Sequence, residues 1–301
     1  MSVAESVPPT PSPAAPTVPA APTRRARSVS TVLSTRLLWS ELGLIGGRRR
    51  NQMGLLVLAA VPVLMAVAVR ISSPRPGRGP DFLSSITSNG LFVPLAALGV
   101  EMGLFLPLAI AMLAGDAVAG EANLGTLRYL LTVPVGRTRL LAVKYASLVV
   151  GAVWGVAVVT VAGALAGIAL FGTGPMTTLS GTQIGFGEAT WRVVLVALYV
   201  AAGLAALGAV GLFISTLTEQ PLAATVALMI FTILSWIADS VPQISWLHPW
   251  LLVDQWGAFG DLLRDPPFWD NVARGLWVDL AYAVVFWLLA WARFSGKDVT
   301  S

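Results

Sequence analysis

Six apolar stretches, each long enough to cross a lipid bilayer, constrain this chain more than any other feature. They run at about Met53–Val69, Leu91–Ala114, Leu141–Phe171, Val193–Ser215, Leu222–Ala238 and Leu276–Trp291. A hydrocarbon core of ~30 Å takes roughly 17–25 apolar residues of α-helix, because inside it the backbone must satisfy its own hydrogen bonds. The third stretch is long enough to tilt or protrude, and the sixth sits at the short limit. A mean hydropathy of +0.77 with 11% charged residues excludes an ordinary soluble domain, where charged residues run to about 25%. The expected fold is all-α and integral to the membrane, with six transmembrane helices. The chain has no cysteine and one histidine, His248, so disulfides, thiolate chemistry and a histidine-built metal site are excluded. Net charge is only +4 and the bases cluster near span ends, which argues against nucleic acid as a partner.

The segments before the first span differ sharply. Residues 1–30 interleave seven prolines (Pro8 to Pro22) with Ala, Ser and Thr, so no apolar face can form, and a disordered or polyproline-like tail is expected. It lacks the continuous apolar core of a secretory signal. Residues 31–50 then place Leu37, Leu38, Leu42 and Ile45 on one helical face, with Leu33 and Trp39 at its flanks, and Arg48, Arg49 and Arg50 follow at once. That pattern predicts an amphipathic helix lying in the membrane interface. With an inside N-terminus, only Arg70, Arg75, Arg78, Arg192, Arg264 and Arg274 of the 19 Lys and Arg fall outside, so the charge bias puts both termini in the cytoplasm. The six-span membrane domain is expected over 51–295, with 296–301 as a short cytoplasmic tail.

The densest polar passage in the middle of the chain is the loop at 115–140. It opens with Asp116 and Glu121, carries Leu124, Leu127, Leu130 and Leu131 at helical spacing, and closes with Arg137, Arg139 and Lys144. Pro134 should end its helix near Thr132, because proline lacks an N–H and forces Val133 out of the α region. This passage resembles the first cytoplasmic loop of type-2 ABC transporter permeases, in Asp116, Glu121, Gly125, Thr126, Leu127, Leu130, Leu131, Pro134, Val135, Arg137 and Lys144. The interfacial elbow before the first span and the turn GLFISTLTEQPLAA (Gly211–Ala224) extend the resemblance. It implies a coupling helix at Asn123–Thr132 that docks into a separate ATP-binding subunit through Glu121, Asn123, Leu124, Gly125, Thr126, Leu127, Arg128, Leu130, Leu131, Pro134 and Arg137. It also implies a second permease chain, identical or related, and location in the plasma (inner) membrane among its lipids. ATP and Mg would then sit on the partner, with no cofactor bound by this chain. Read without the resemblance, the same loop is a solvated connection with ordinary caps and snorkelling bases.

Other features bear on packing and on the path. Gly151 with Gly155, and Gly163 with Gly167, form GxxxG pairs that favour close helix approach within one bundle. Glu101 falls near mid-membrane, where it reads either as a translocation-path residue or as a neutral acid hydrogen-bonded to Thr160. Asp279 reads as a favourable charge near the start of the sixth helix. The long connection at 239–275 holds Trp246, Trp250, Trp256 and Trp269, which suggests a tryptophan-rich cap on the outer leaflet with a helix at Leu251–Leu263. No G-x-x-x-x-G-K-[ST] and no H-E-x-x-H occurs, so neither a P-loop ATPase nor that metalloprotease motif is present. The chain is therefore expected to be a non-catalytic membrane subunit of an ATP-driven exporter. The alternatives are a carrier not driven by ATP and a membrane scaffold or immunity protein.

Overall fold

The computed structural model describes residues 35–72, 89–123 and 136–296. Six of its helices are long and apolar enough to cross a membrane, and the chain is an all-α multi-pass membrane protein. Helix α1 (Thr35–Gly47) is followed by α2 (Arg49–Ser72), then α3 (Phe92–Met102), α4 (Phe105–Gly115) and α5 (Arg137–Phe171). A two-stranded antiparallel hairpin, β1 (Met176–Thr177) with β2 (Gln183–Ile184), leads into α6 (Phe186–Leu217). Helix α7 (Pro221–Asp239), the short α8 (Leu252–Trp256) and α9 (Trp269–Ser295) complete the order.

The expected second span, Leu91–Ala114, is not one helix. It breaks at Gly103–Leu104, where Leu104 leaves the helical region at φ −151°. Pro107 supplies the reason: it has no N–H to give to Gly103, and its ring would collide with that carbonyl in a continuous helix. In the first turn of a new helix the missing N–H is no loss. The membrane-length helix in this place is instead Phe105–Asn123, made of α4, a π turn at Asp116–Gly120 and a last helical turn. The other five spans sit where expected but run longer, since polar terminal turns carry the helices beyond their apolar cores.

Helix α6 is the centre of the bundle. Its apolar window is 67% buried, against 22% for α2, α7 and α9. It packs on α9, α5 and α4, while α2 and α3 lie against α5, and α4 against α7. Glycines set the closest of these contacts. A Cβ on Gly163 would come within 2.8 Å of the Pro94 Cα, and Gly167 meets the backbone of Gly90 directly. A Cβ on Gly211 would press on Ala114 and Leu228, both at 2.6 Å. Both helix contacts need hydrogen at those positions, so these glycines serve packing inside one bundle.

Beyond the far end of α5, buried Arg192 of α6 ties that helix to the α7–α9 connection. Its guanidinium donates to Glu188 Oε1 at 2.6 Å, to Asp265 Oδ1 at 3.4 Å and to the carbonyls of Leu262 and Arg264. The Leu179 N–H donates to Leu263 O at 3.0 Å. The helix expected over Leu251–Leu263 is α8 followed by a tighter 3₁₀ run, Gly257–Leu263. Trp246, Trp250 and Trp269 are exposed as expected of interfacial anchors, but Trp256 is buried, edge-on to Trp236 with ring centroids 6.1 Å apart. Asp279 is also misplaced by the sequence reading. Helix α9 begins ten residues earlier, at Trp269, so Asp279 is buried in its interior and far from the helix N-terminus.

Candidate functional site

Residues 124–135, which carry Leu124, Gly125, Thr126, Leu127, Arg128, Leu130, Leu131 and Pro134, lie outside the described residues. Their two anchors, Asn123 at the end of one helix and Gly136 at the start of the next, are described, and a polar layer joins them. Lys144, on the second turn of α5, is almost wholly buried and donates to Glu41 on α1 at 2.6 Å and to Glu121 just before Asn123. One ammonium thus holds α1, the end of the second span and the start of the third. Asp116 accepts from Arg48 at 2.5 Å and from Arg50, which fixes the α1–α2 junction to the same place.

Local sequence explains each position. The last carbonyls of a helix have no partner inside it, and those of α1 accept side-chain amides from α2: Asn51 to Ile45 O at 2.8 Å and Gln52 to Gly46 O at 3.0 Å. At the π turn, the Val118 and Ala119 N–H groups both donate to Ser215 Oγ, at 3.2 and 3.0 Å, and that hydroxyl donates to Gly115 O at 3.2 Å. The end of α6 therefore caps the widened turn. Arg137 donates to Ser295 O at 2.8 Å, and Trp291 Nε1 to Thr138 Oγ1 at 2.8 Å, so α9 also reaches the base of α5.

Glu121, Asn123 and Arg137, all read from the sequence as docking residues, flank the loop. Glu121 and Arg137 are held by the bundle in the described conformation. Glu101 stands apart from this layer. It ends α3 at the helix break, is fully buried, and neither carboxyl oxygen has a hydrogen-bond partner among the described residues. The expected bond to Thr160 is absent, because the Thr160 hydroxyl donates along its own helix to Val156 O at 2.8 Å.

Sequence reading missed Glu41 and the role of Lys144, although a signal existed for both. Glu41 lies four residues after Leu37 and four before Ile45, inside the apolar stripe of α1. Lys144 lies among Leu140, Leu141 and Leu148, all buried on α5. A charge in the middle of an apolar stripe must be paired. Each of the two was the other's partner. This arrangement holds no nucleophile–base pair, and no group of three or more metal-ligating side chains occurs among the described residues. What the layer can do is position: it fixes both ends of a loop against α1.

The family described as "Protein of unknown function (DUF2705)" matches the chain over residues 63–300. That match begins inside α2 and leaves α1 outside it. No curated protein matches the chain.

Proposed function

The chain belongs to the DUF2705 family of proteins of unknown function, and from that premise we propose that it is the membrane-spanning permease subunit of a type-2 ABC exporter. One observation carries this reading: the loop that resembles a coupling helix is anchored at both ends, Glu121 before it and Lys144 after it, to one buried ion-pair cluster that includes Glu41 of α1. A loop that transmits force from a partner needs rigid ends, and a solvated connection does not. In this reading α1 is the interfacial elbow, both termini are cytoplasmic, and the membrane is the plasma (inner) membrane. A separate ATP-binding subunit carries ATP and Mg, and a second permease chain completes the path. Glu101 lines or gates that path.

Purification of the tagged full-length protein from its native membranes tests the proposal. The expected result is a stoichiometric companion bearing Walker motifs, whose ATP hydrolysis rises when the permease is present. A protein that purifies alone and moves substrate down an ion gradient without ATP would remove the reading. That outcome would favour the carrier alternative, for which the helix break beside Glu101 is the supporting observation, since carriers bind ions and substrates at interrupted helices.

A further inference from the structure

We propose that one ordered water is built into the bundle where α6, α8 and α9 meet, accepting from the Trp256 indole and donating to Asp279. The proposal stands or falls independently of the exporter reading. Trp256 and Asp279 are 3% and 4% exposed, and neither the indole N–H nor Asp279 Oδ1 has a hydrogen-bond partner among the described residues. One of these atoms is a donor and the other an acceptor, and both lie against the same glycine. A Cβ on Gly203 of α6 would stand 2.9 Å from Trp256 Nε1 and 3.7 Å from Asp279 Oδ1. The two atoms are close enough to share one small molecule, yet they do not bond directly. An oxygen standing off this glycine, toward Asp279, can take the N–H and give a proton to Oδ1.

The preceding turn of the same helices makes the link directly. Tyr199 precedes Gly203 by one turn of α6, and Gly275 precedes Asp279 by one turn of α9. The Tyr199 ring lies against Gly275, where a Cβ would collide with its hydroxyl, and that hydroxyl donates to Gln255 O at 2.7 Å. Gln255 is the neighbour of Trp256 in α8. At this turn a side chain of α6 passes α9 and reaches α8. One turn on, α6 offers only the hydrogen of Gly203. The indole is fixed there, seated on Gly203 and edge-on to Trp236 with ring centroids 6.1 Å apart.

The chemistry of the pair selects its occupant. An indole N–H only donates and a carboxyl oxygen accepts, so the bridging group must do both. A metal cation or an ammonium has no lone pair for the N–H, and an anion would meet the carboxyl. A hydroxyl qualifies, and in a closed contact between three helices water is the hydroxyl that fits. Buried waters serve polar groups that the protein itself leaves unpaired. Without one, each of these two groups bears its full desolvation.

Two measurements on the full-length protein test this. A crystal structure at a resolution that shows ordered water should place an oxygen within hydrogen-bond distance of both Trp256 Nε1 and Asp279 Oδ1. A direct bond between the two, or no oxygen between them, would overturn the proposal. Thermal unfolding in detergent reads the bridge a second way. Trp256→Phe keeps an aromatic ring and removes the N–H, and Asp279→Leu removes the acceptor. Each should lower the melting temperature by a few degrees, the shift that loss of one hydrogen bond gives in a large domain. The double variant should fall no further than the lower of the two, because both changes break one link. Asp279→Asn keeps an acceptor oxygen and should stay near the wild type. A rise in melting temperature for Asp279→Leu is the result for a carboxyl with nothing bound to it, and it would sink the idea. Losses that simply add in the double variant would do the same.

Discussion

Lys144 carries the sharpest residue-scale consequence of the fold. It lies between Glu41 and Glu121, whose side chains are 17% and 15% exposed, so removing the ammonium leaves two carboxylates crowded together with little access to water. Breaking such a pair costs about 3–5 kcal/mol when buried, and the lower end applies to carboxylates that still touch solvent. Lys144→Met should therefore lower the melting temperature in detergent markedly. Combining it with Glu121→Gln should recover part of the loss, since the two residues share one interaction. An unchanged melting temperature in the single variant would deny the cluster its structural role. Glu101 leads to the opposite expectation. With no partner to strand among the described residues, Glu101→Leu exchanges a buried polar group for an apolar one, and should stabilise the protein by about 1–3 kcal/mol. If Leu and Gln both abolish transport while stability holds, the carboxyl serves the path. If Leu destabilises and Gln does not, a hydrogen-bond partner exists after all.

Helices meet in this protein where side chains are missing. The α3–α5 contact rests on Gly163 against Pro94 and on Gly167 against Gly90, and Gly163→Val would place a branched side chain into backbone that cannot yield. Overpacking of this kind costs about 1–3 kcal/mol, and it should separate the α3 end of the bundle from α5. A cysteine pair placed across the contact would report this as lost crosslinking, and undiminished crosslinking would show that the contact is slack. The loop element makes a different prediction. If residues 123–132 form a coupling helix, Leu127 packs into another protein, and a helix so short is marginal without that support. Leu127→Asp should leave the bundle intact but abolish ATP-driven transport and stimulation of the partner's ATPase. Reconstituted Leu127→Asp protein with wild-type transport would remove the coupling role.

Orientation belongs to the whole molecule. The chain has no cysteine, so single cysteines at Gln220 and Ser245 can be labelled cleanly. Both residues are exposed, Gln220 just before α7 and Ser245 past its other end after the 3₁₀ turn Pro242–Ile244, and the proposed topology puts Gln220 inside and Ser245 outside. A membrane-impermeant maleimide added to intact cells should react with Ser245→Cys alone, and the reverse pattern would invert the protein. The bases expected on the outer side are less costly than a simple count suggests, since Arg192 and Arg264 are ion-paired with Glu188, Asp265 and Asp261. By itself the sequence determined the class of the fold and the approximate places of its spans, because a bilayer demands unbroken apolar length and that is a local property. It also held the cause of the broken second span in Pro107, which an apolar average conceals. The pairing of Glu41 with Lys144, 103 residues apart, was decided only by the tertiary structure. So were the capping of the π turn by Ser215, the burial of Asp279 and Trp256, and the glycines that touch backbone. Each depends on which helix faces which, and in a bundle that choice is made by packing between elements distant in the chain, where hydropathy alike on every span gives no preference.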